Sequence, residues 1–181
     1  MPGPVALTGT PGTGKSRVAR RLAGQVRSVE VSELALRLGA ARRVRGGVEV
    51  DLRKLRRTLA RRSAWGDVEL VVGHLAHLLP VRDAIVLRCR PTELEVRLRR
   101  ARRGTLSDRF ENFVSEATDV ILIEAVRARR RVWEVDTSGR TVRSVADEVA
   151  RRLRSRGPKS YGRVDWLADA RVTAHLLDRP R

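Results

Sequence analysis

An α/β fold, with a five-stranded parallel sheet covered by helices on both faces, is predicted by two features of this sequence. Short apolar runs alternate with stretches of helical periodicity, a pattern that makes successive strands parallel and places the connecting helices on the sheet faces. The first run, Val5-Ala6-Leu7-Thr8, passes into Gly9-Thr10-Pro11-Gly12-Thr13-Gly14-Lys15-Ser16 and then into Val18, Ala19, Leu22, Ala23 and Val26 at helical spacing. A strand, a glycine-rich loop ending in Gly-Lys-Ser and a helix form the arrangement in which a backbone wraps a phosphate.

In such a P-loop the glycines let successive N–H groups point inward. Helix N-termini add positive potential. Lys15 is expected to reach the β- and γ-phosphates of a nucleotide, and Ser16 to ligate Mg²⁺ together with phosphates and water. Gly9, Gly12, Thr13, Gly14, Lys15, Ser16 and Arg17 are thus candidate nucleotide-binding residues. The chain holds 39 Lys and Arg, yet its lysines are Lys15, Lys54 and Lys159 alone. A lysine kept at position 15 amid so much arginine fits a site that needs a compact cation on a flexible stem.

The remaining elements follow in order. Ser28-Val29-Glu30-Val31 reads as a second strand. Ser32 is placed to cap a helix through Leu34, Ala35 and Leu38, with Gly39 as its stop. Residues 40–50, with Arg42, Arg43, Arg45, Gly46 and Gly47, read as a mobile basic loop. Asp51 caps a helix with Leu52, Leu55 and Leu59 on one face. Val68 to Val72 is the third strand, and Gly73-His74-Leu75-Ala76-His77-Leu78-Leu79-Pro80 the loop leaving it. Ala84 to Cys89 is the fourth strand. Pro91 opens a helix through Leu94, Val96 and Leu98. A single helix is predicted over 108–126, with Phe110, Phe113, Val114, Ala117, Val120 and Ile121 on its apolar side. Val132 to Asp136 is the fifth strand, followed by the turn Thr137-Ser138-Gly139. Thr141 opens a last helix that Gly157-Pro158 breaks. Tyr161, Trp166 and Leu167 in the tail 157–181 are expected to pack back onto the domain.

At 181 residues the chain suits one compact domain. The single cysteine, Cys89, excludes an intramolecular disulfide, suits a reducing cytoplasm and reads as core. No apolar run is long enough to cross a bilayer, and a strand at the very start leaves no room for a signal peptide. A net charge of +18 points to nucleic acid, or to something bound to it, as a partner. An arginine bias on a solvated surface would give the same number. Aromatics are only 3% of residues, so any RNA contact should be to phosphate or shape rather than to stacked bases.

Taken together, GTPGTGKS (9–16), GHLAHLLP (73–80), VLRCRPTELEVRLRRARRG (86–104), ENFVSEATDVILIEAV (111–126), WEVDTSGRTVRSVADEV (133–149) and GRVDWL (162–167) make the chain resemble the adenylate kinase isoenzyme 6 group, in its archaeal form. These are adenylate-kinase-like P-loop ATPases linked to maturation of the small ribosomal subunit. The resemblance implies a nucleoside-monophosphate-kinase fold spanning 1–181, ATP and Mg²⁺ as ligands, and AMP or another nucleoside monophosphate as acceptor. It makes residues about 30–52 the flap over the acceptor and about 100–110 a short lid. Asp136, Ser138 and Gly139 would border the adenine. Arg103, before Gly104, would be the lid arginine, with Arg100 or Arg102 as alternatives. The arginine run from 97 to 103 could clamp transferring phosphates.

His74 matches the family's loop histidine and would position water or sense the γ-phosphate; a backbone-bonded loop histidine is the plain alternative. His77 is spaced to pair with His74 on a metal, but no third ligand is in view. Family members usually carry Asp or Glu two residues before that histidine, where this chain has Val72. Glu69 lies about 10 Å back along the strand and cannot replace it.

The implied activity is adenylate kinase or slow ATPase, in a cytoplasmic protein acting in small-subunit and rRNA maturation. The alternatives are an ATP-gated assembly chaperone and a metabolic small-molecule kinase. The resemblance also implies a strongly basic platform ribosomal protein as partner. On a helical wheel at about 100° per residue, Asp108, Glu111, Glu116 and Asp119 gather on one side as its expected docking face; a solvated acidic side, or acids that pair with the lid arginines, is the plain alternative.

Overall fold

The computed structural model describes residues 3–45, 47–155 and 157–178. In chain order the elements are β1 (Val5–Thr8), α1 (Lys15–Arg21), β2 (Ser28–Glu30), α2 (Val31–Arg37), β3 (Ala41–Val44), β4 (Gly47–Val50), α3 (Leu52–Leu59), β5 (Leu70–Val72), β6 (Asp83–Arg88), α4 (Pro91–Arg100), α5 (Leu106–Ala117), α6 (Val120–Ala128), β7 (Arg131–Asp136), α7 (Val142–Ser155) and α8 (Ala170–Leu177). Five strands form one parallel sheet in the order β2-β5-β1-β6-β7. β1, which feeds the glycine loop, is therefore central. Among the described residues no helix is long and apolar enough to cross a membrane.

The period-two alternation of the strands splits the core into two layers. Ala6, Val29, Val71, Ala84 and Val132 face one side, with Leu34, Leu55, Leu59 and Leu122. Leu7, Leu70, Val72, Ile85, Leu87 and Val135 face the other, with Val18 of α1 and Val145 and Val149 of α7. Burial on both faces explains why these strands read as unbroken apolar runs.

Several expectations are corrected. The helix after the glycine loop begins at Lys15 and ends at Arg21, short of the expected Val26, with turns carrying the chain onward. Ser32 is no cap: α2 starts at Val31, one residue earlier. The third strand begins at Leu70 rather than Val68.

The supposed loop over 40–50 is a hairpin, β3 with β4, in the register Arg42↔Glu49 and Arg43↔Val48. Arg42 and Glu49 form an ion pair of 2.6 Å. Valines that favour extended backbone and an opposite-charge cross-strand pair drive that outcome. Gly46 lies outside the described residues.

The single helix over 108–126 is two. α5 ends at Ala117 with Thr118 as its C-cap, and Asp119 takes a left-handed conformation (φ 59) that turns the chain into α6. A short polar side chain tolerates that backbone, and here its carboxylate pairs with Arg88. Val120 is accordingly exposed instead of lying on an apolar face.

In the tail Trp166 is buried, but Tyr161 is 36% and Leu167 50% exposed. The tail also adds α8, capped by Asp169, whose Val172 packs with Phe113 and Trp166.

Candidate functional site

The glycine loop joins the carboxyl end of β1 to α1, at the sheet edge where open α/β folds bind ligands. Gly9 (φ 136) lies so close to β6 that a Cβ there would sit 2.3 Å from the Leu87 carbonyl oxygen. Gly14 (φ 100) is the N-cap of α1. Thr13 Oγ1 donates to the Thr10 carbonyl (2.9 Å) and closes the loop from within.

Lys15 is only 8% exposed. Its ammonium donates to the carbonyls of Gly9 (2.7 Å) and Thr10 (2.9 Å). Burial lowers its pKa from the usual 10.5 to about 8; Glu116 and Glu30 pull the other way, and Arg103 adds to the lowering. The loop thus holds a cation whose charge is costly until an anion arrives.

Above the loop opens a cleft of about 880 Å³. Of the predicted residues it brings together Gly12, Thr13, Gly14, Lys15, Ser16, Arg17, His74 and Arg103. Gly9 lies beneath, against β6. Asp136, Ser138 and Gly139 are not on its wall. Asp136 accepts hydrogen bonds from the backbone and hydroxyl of Ser138, and the backbone N–H of Gly139 donates to Glu93. Their neighbours Thr137 and Arg140 line the cleft instead.

Arg100 joins Arg103 on the wall, and Arg102 does not. Arg97 is held by Glu93 (2.6 Å) and by the Thr137 carbonyl (2.8 Å). Among the described residues, Arg100 and Arg103 make no side-chain hydrogen bond or ion pair, so their guanidinium groups are available to phosphate oxygens. The imidazole of His74 is held below its usual pKa by loss of water in the cleft, then by Lys15 and His77, and so is neutral at pH 7.

His77 does not join His74 in a metal pair. It is buried, with Nδ1 2.9 Å from Thr8 Oγ1 and Nε2 2.9 Å from Glu124. Burial lowers its pKa, and the bond to Glu124 opposes that. The site suits Mg²⁺ in another way. Ser16 and Glu30 offer oxygen donors in the same cleft, the chemistry Mg²⁺ selects. Among the described residues no group of three or more His, Cys, Asp or Glu could hold a metal unaided. Such a set fits a Mg²⁺ carried largely by phosphates and water, with Ser16 as the protein ligand.

Sequence reasoning missed the polar hub behind the loop. Glu116, expected on an exposed acidic face, is 2% exposed. Its carboxylate accepts from Thr10 Oγ1 (2.5 Å), Arg88 Nε (2.8 Å), Cys89 N (3.0 Å) and Trp166 Nε1 (3.3 Å). Arg88 is also buried and pairs with Glu134 (2.6 Å) and Asp119. Asp108 is occupied in the capping box of Thr105. The expected docking face therefore loses Glu116 to the core and Asp119 to Arg88. The one sequence signal for the hub was an arginine inside an apolar strand, since a buried charge must find partners. Arg140 and Glu30 were also missed; the signal for Glu30 was its place at the carboxyl end of a parallel strand.

Known proteins resemble this chain in sequence and in fold. The family described as "AAA domain" matches residues 5–119. A protein of Thermococcus onnurineus described as "Putative adenylate kinase" is 37% identical over 176 residues, covering 96% of this chain and 97% of its own length. One of Archaeoglobus fulgidus with the same description is 40% identical, covering 91% and 92%. Among solved structures, a shikimate kinase of Bacteroides thetaiotaomicron superposes with a TM-score of 0.57 at 17% identity, covering 84% of this chain and 98% of its own. A gluconokinase of Sinorhizobium meliloti superposes with a TM-score of 0.54 at 18% identity, covering 84% and 92%. These two establish the shared P-loop kinase fold. On the archaeal likeness, end to end and above a third in identity, this chain belongs to the adenylate-kinase-like family of P-loop proteins.

Proposed function

We propose that this protein binds ATP with Mg²⁺ in the cleft and transfers the γ-phosphoryl group to AMP or another nucleoside monophosphate, or to water, in the maturation of the small ribosomal subunit. The observation that carries the nucleotide reading is the buried ammonium of Lys15, seated on the loop's own carbonyls beneath a wall of arginines. Phosphoryl transfer needs little covalent chemistry from the protein; positioning and charge neutralisation suffice. Lys15 would move from the carbonyls to the β- and γ-oxygens, and Ser16 would hold the cation. Arg103, with Arg100, would close over the phosphates from the turn between α4 and α5. Neutral His74 would orient the water or the terminal phosphate. The span 30–52, made of α2 and the hairpin, would be the acceptor flap, and 100–110 the lid. The adenine would lie by the turn after β7, near Asp136, Ser138 and Gly139.

The role in ribosome and rRNA maturation, and with it a cytoplasmic location, rests on the sequence resemblance and on the charge of +18. A basic ribosomal partner remains part of the reading, but the acidic face drawn for it does not. An ATP-gated assembly chaperone is the second reading, favoured by the apolar Val72 where relatives of the resembled group carry an acid.

A nucleotide panel comparing ATP hydrolysis with AMP phosphorylation, with and without small-subunit components, tests the proposal. Lys15→Met should lose ATP binding while staying folded, with a Tm at or above the parent's because the buried charge has gone. Unchanged calorimetric affinity in that variant would remove the nucleotide reading. Turnover unaffected by ribosomal components would remove the assembly role.

A further inference from the structure

Val72 ends β5 and is 1% exposed in the apolar layer beneath α1. The strands on either side place Leu7 and Glu30 in register with it. Residues paired in register on neighbouring strands point to the same face of a sheet. The preceding rank, Ala6, Val71 and Val29, belongs to the opposite layer. Leu7, Val72 and Glu30 therefore all face the side of α1, the helix that carries Lys15 and Ser16. Glu30 stands at the same height as Val72, displaced sideways by one strand spacing of about 4.8 Å.

Glu30 lines the cleft together with Ser16 and Lys15. It is half-buried and stands at the N-cap of α2, where its side chain makes no cap hydrogen bond. Among the described residues its carboxylate makes no hydrogen bond or ion pair within bonding distance, although it acts on the charge of Lys15 through space. The other acid on the cleft wall, Glu93, is engaged by Arg97 and by the N–H of Gly139. Glu69 is engaged by Arg27 at the other end of its strand.

We propose that Glu30 supplies the carboxylate of the Mg²⁺ shell in this cleft, in place of the acid absent at position 72; this rests on the nucleotide reading above. A carboxylate acting through a bound water stands about 4–5 Å from the cation, from a metal–oxygen distance of about 2.1 Å and a hydrogen bond of about 2.7 Å. Acting through water, a carboxylate need not touch the cation, which relaxes the demand on its position. The extra methylene of glutamate over aspartate, about 1.5 Å, extends the reach further. Outer-shell groups of this kind commonly govern metal affinity by about 10- to 100-fold.

Calorimetric titration of ATP into parent and Glu30→Gln, in excess Mg²⁺ and in EDTA, tests the proposal. Mg²⁺ should tighten ATP binding by the parent. In Glu30→Gln that tightening should shrink by about 10-fold or more, while metal-free ATP binds equally well or better because a negative charge has gone. A melting curve checks the fold; Glu30→Ala, read the same way, serves if the glutamine variant is not folded. An unchanged Mg²⁺ factor would overturn the assignment, and a raised KM for the acceptor beside it would give Glu30 to the acceptor. If the parent bound no ATP in either condition, the nucleotide reading itself would fall, and Glu30's role with it.

Discussion

The protonation state of Lys15 gives a prediction that can be worked through from the structure. Its pKa is about 8 instead of 10.5, chiefly because it is buried. Below pH 8 the ammonium is charged in both folded and unfolded chains, so the cost of burying it is fully present. That cost is relieved as pH rises from 8 to 10.5, and at about 1.4 kcal/mol per unit it amounts to roughly 3 kcal/mol. Polyphosphate binding reverses the situation, since the anion favours the charged form. At pH 7 about nine-tenths of the empty sites already hold the proton, whereas at pH 9 about one-tenth do. ATP binding should therefore take up almost no proton at Lys15 at pH 7 and roughly 0.9 proton at pH 9, and its Kd should rise about tenfold between them. Titration calorimetry in two buffers of different ionisation enthalpy reads the proton uptake directly. The terminal phosphate, with a second pKa near 6, is already ionised over this range and adds little. Lys15→Met should abolish the proton uptake along with most of the affinity. Equal affinity at pH 7 and 9 without buffer-dependent heat would refute the picture of a buried ammonium awaiting an anion.

Two further predictions concern what lies behind and beneath the loop. Glu116→Gln removes the charge that Arg88, Thr10, Cys89 and Trp166 converge on. Breaking a buried pair costs about 3–5 kcal/mol, and each kcal/mol moves Tm by about 2–4 °C in a chain this long. A fall in Tm of roughly 6–20 °C is expected; one under about 2 °C would mean that Glu116 acts as a surface residue after all. Gly9→Ala should destabilise more than Gly14→Ala. Both carry the strain of positive φ, about 1–3 kcal/mol, but only at Gly9 does the new Cβ meet a backbone oxygen, at 2.3 Å. Equal melting points for the two variants would show that β6 yields at no cost.

The sequence by itself determined the alternation of strands and helices, the parallel sheet and the phosphate loop from Gly9 to Ser16. Each depends on neighbours along the chain: apolar runs, helical periodicity, and glycines where the backbone must turn. It also placed Asp51 as a cap, which accepts from Lys54 N at 2.8 Å, and Cys89 in the core, where burial raises the thiol pKa to about 12. The tertiary structure alone decided the fate of the acids. On a helical wheel Glu116 and Asp119 look solvated, because a wheel knows only the helix itself. Arg88, 28 residues before Glu116, sits in a central strand, and its buried charge draws Glu116, Glu134 and Asp119 inward. That attraction helps divide the helix at Asp119 and brings Trp166 of the tail against the same carboxylate. The hairpin over 41–50 was hidden for a similar reason, since arginines that read as a loop become strand residues once Arg42 meets Glu49 across the ladder. Glu30 follows the same logic: its place beside Val72 comes from the register of β2 on β5, and the two are 42 positions apart along the chain.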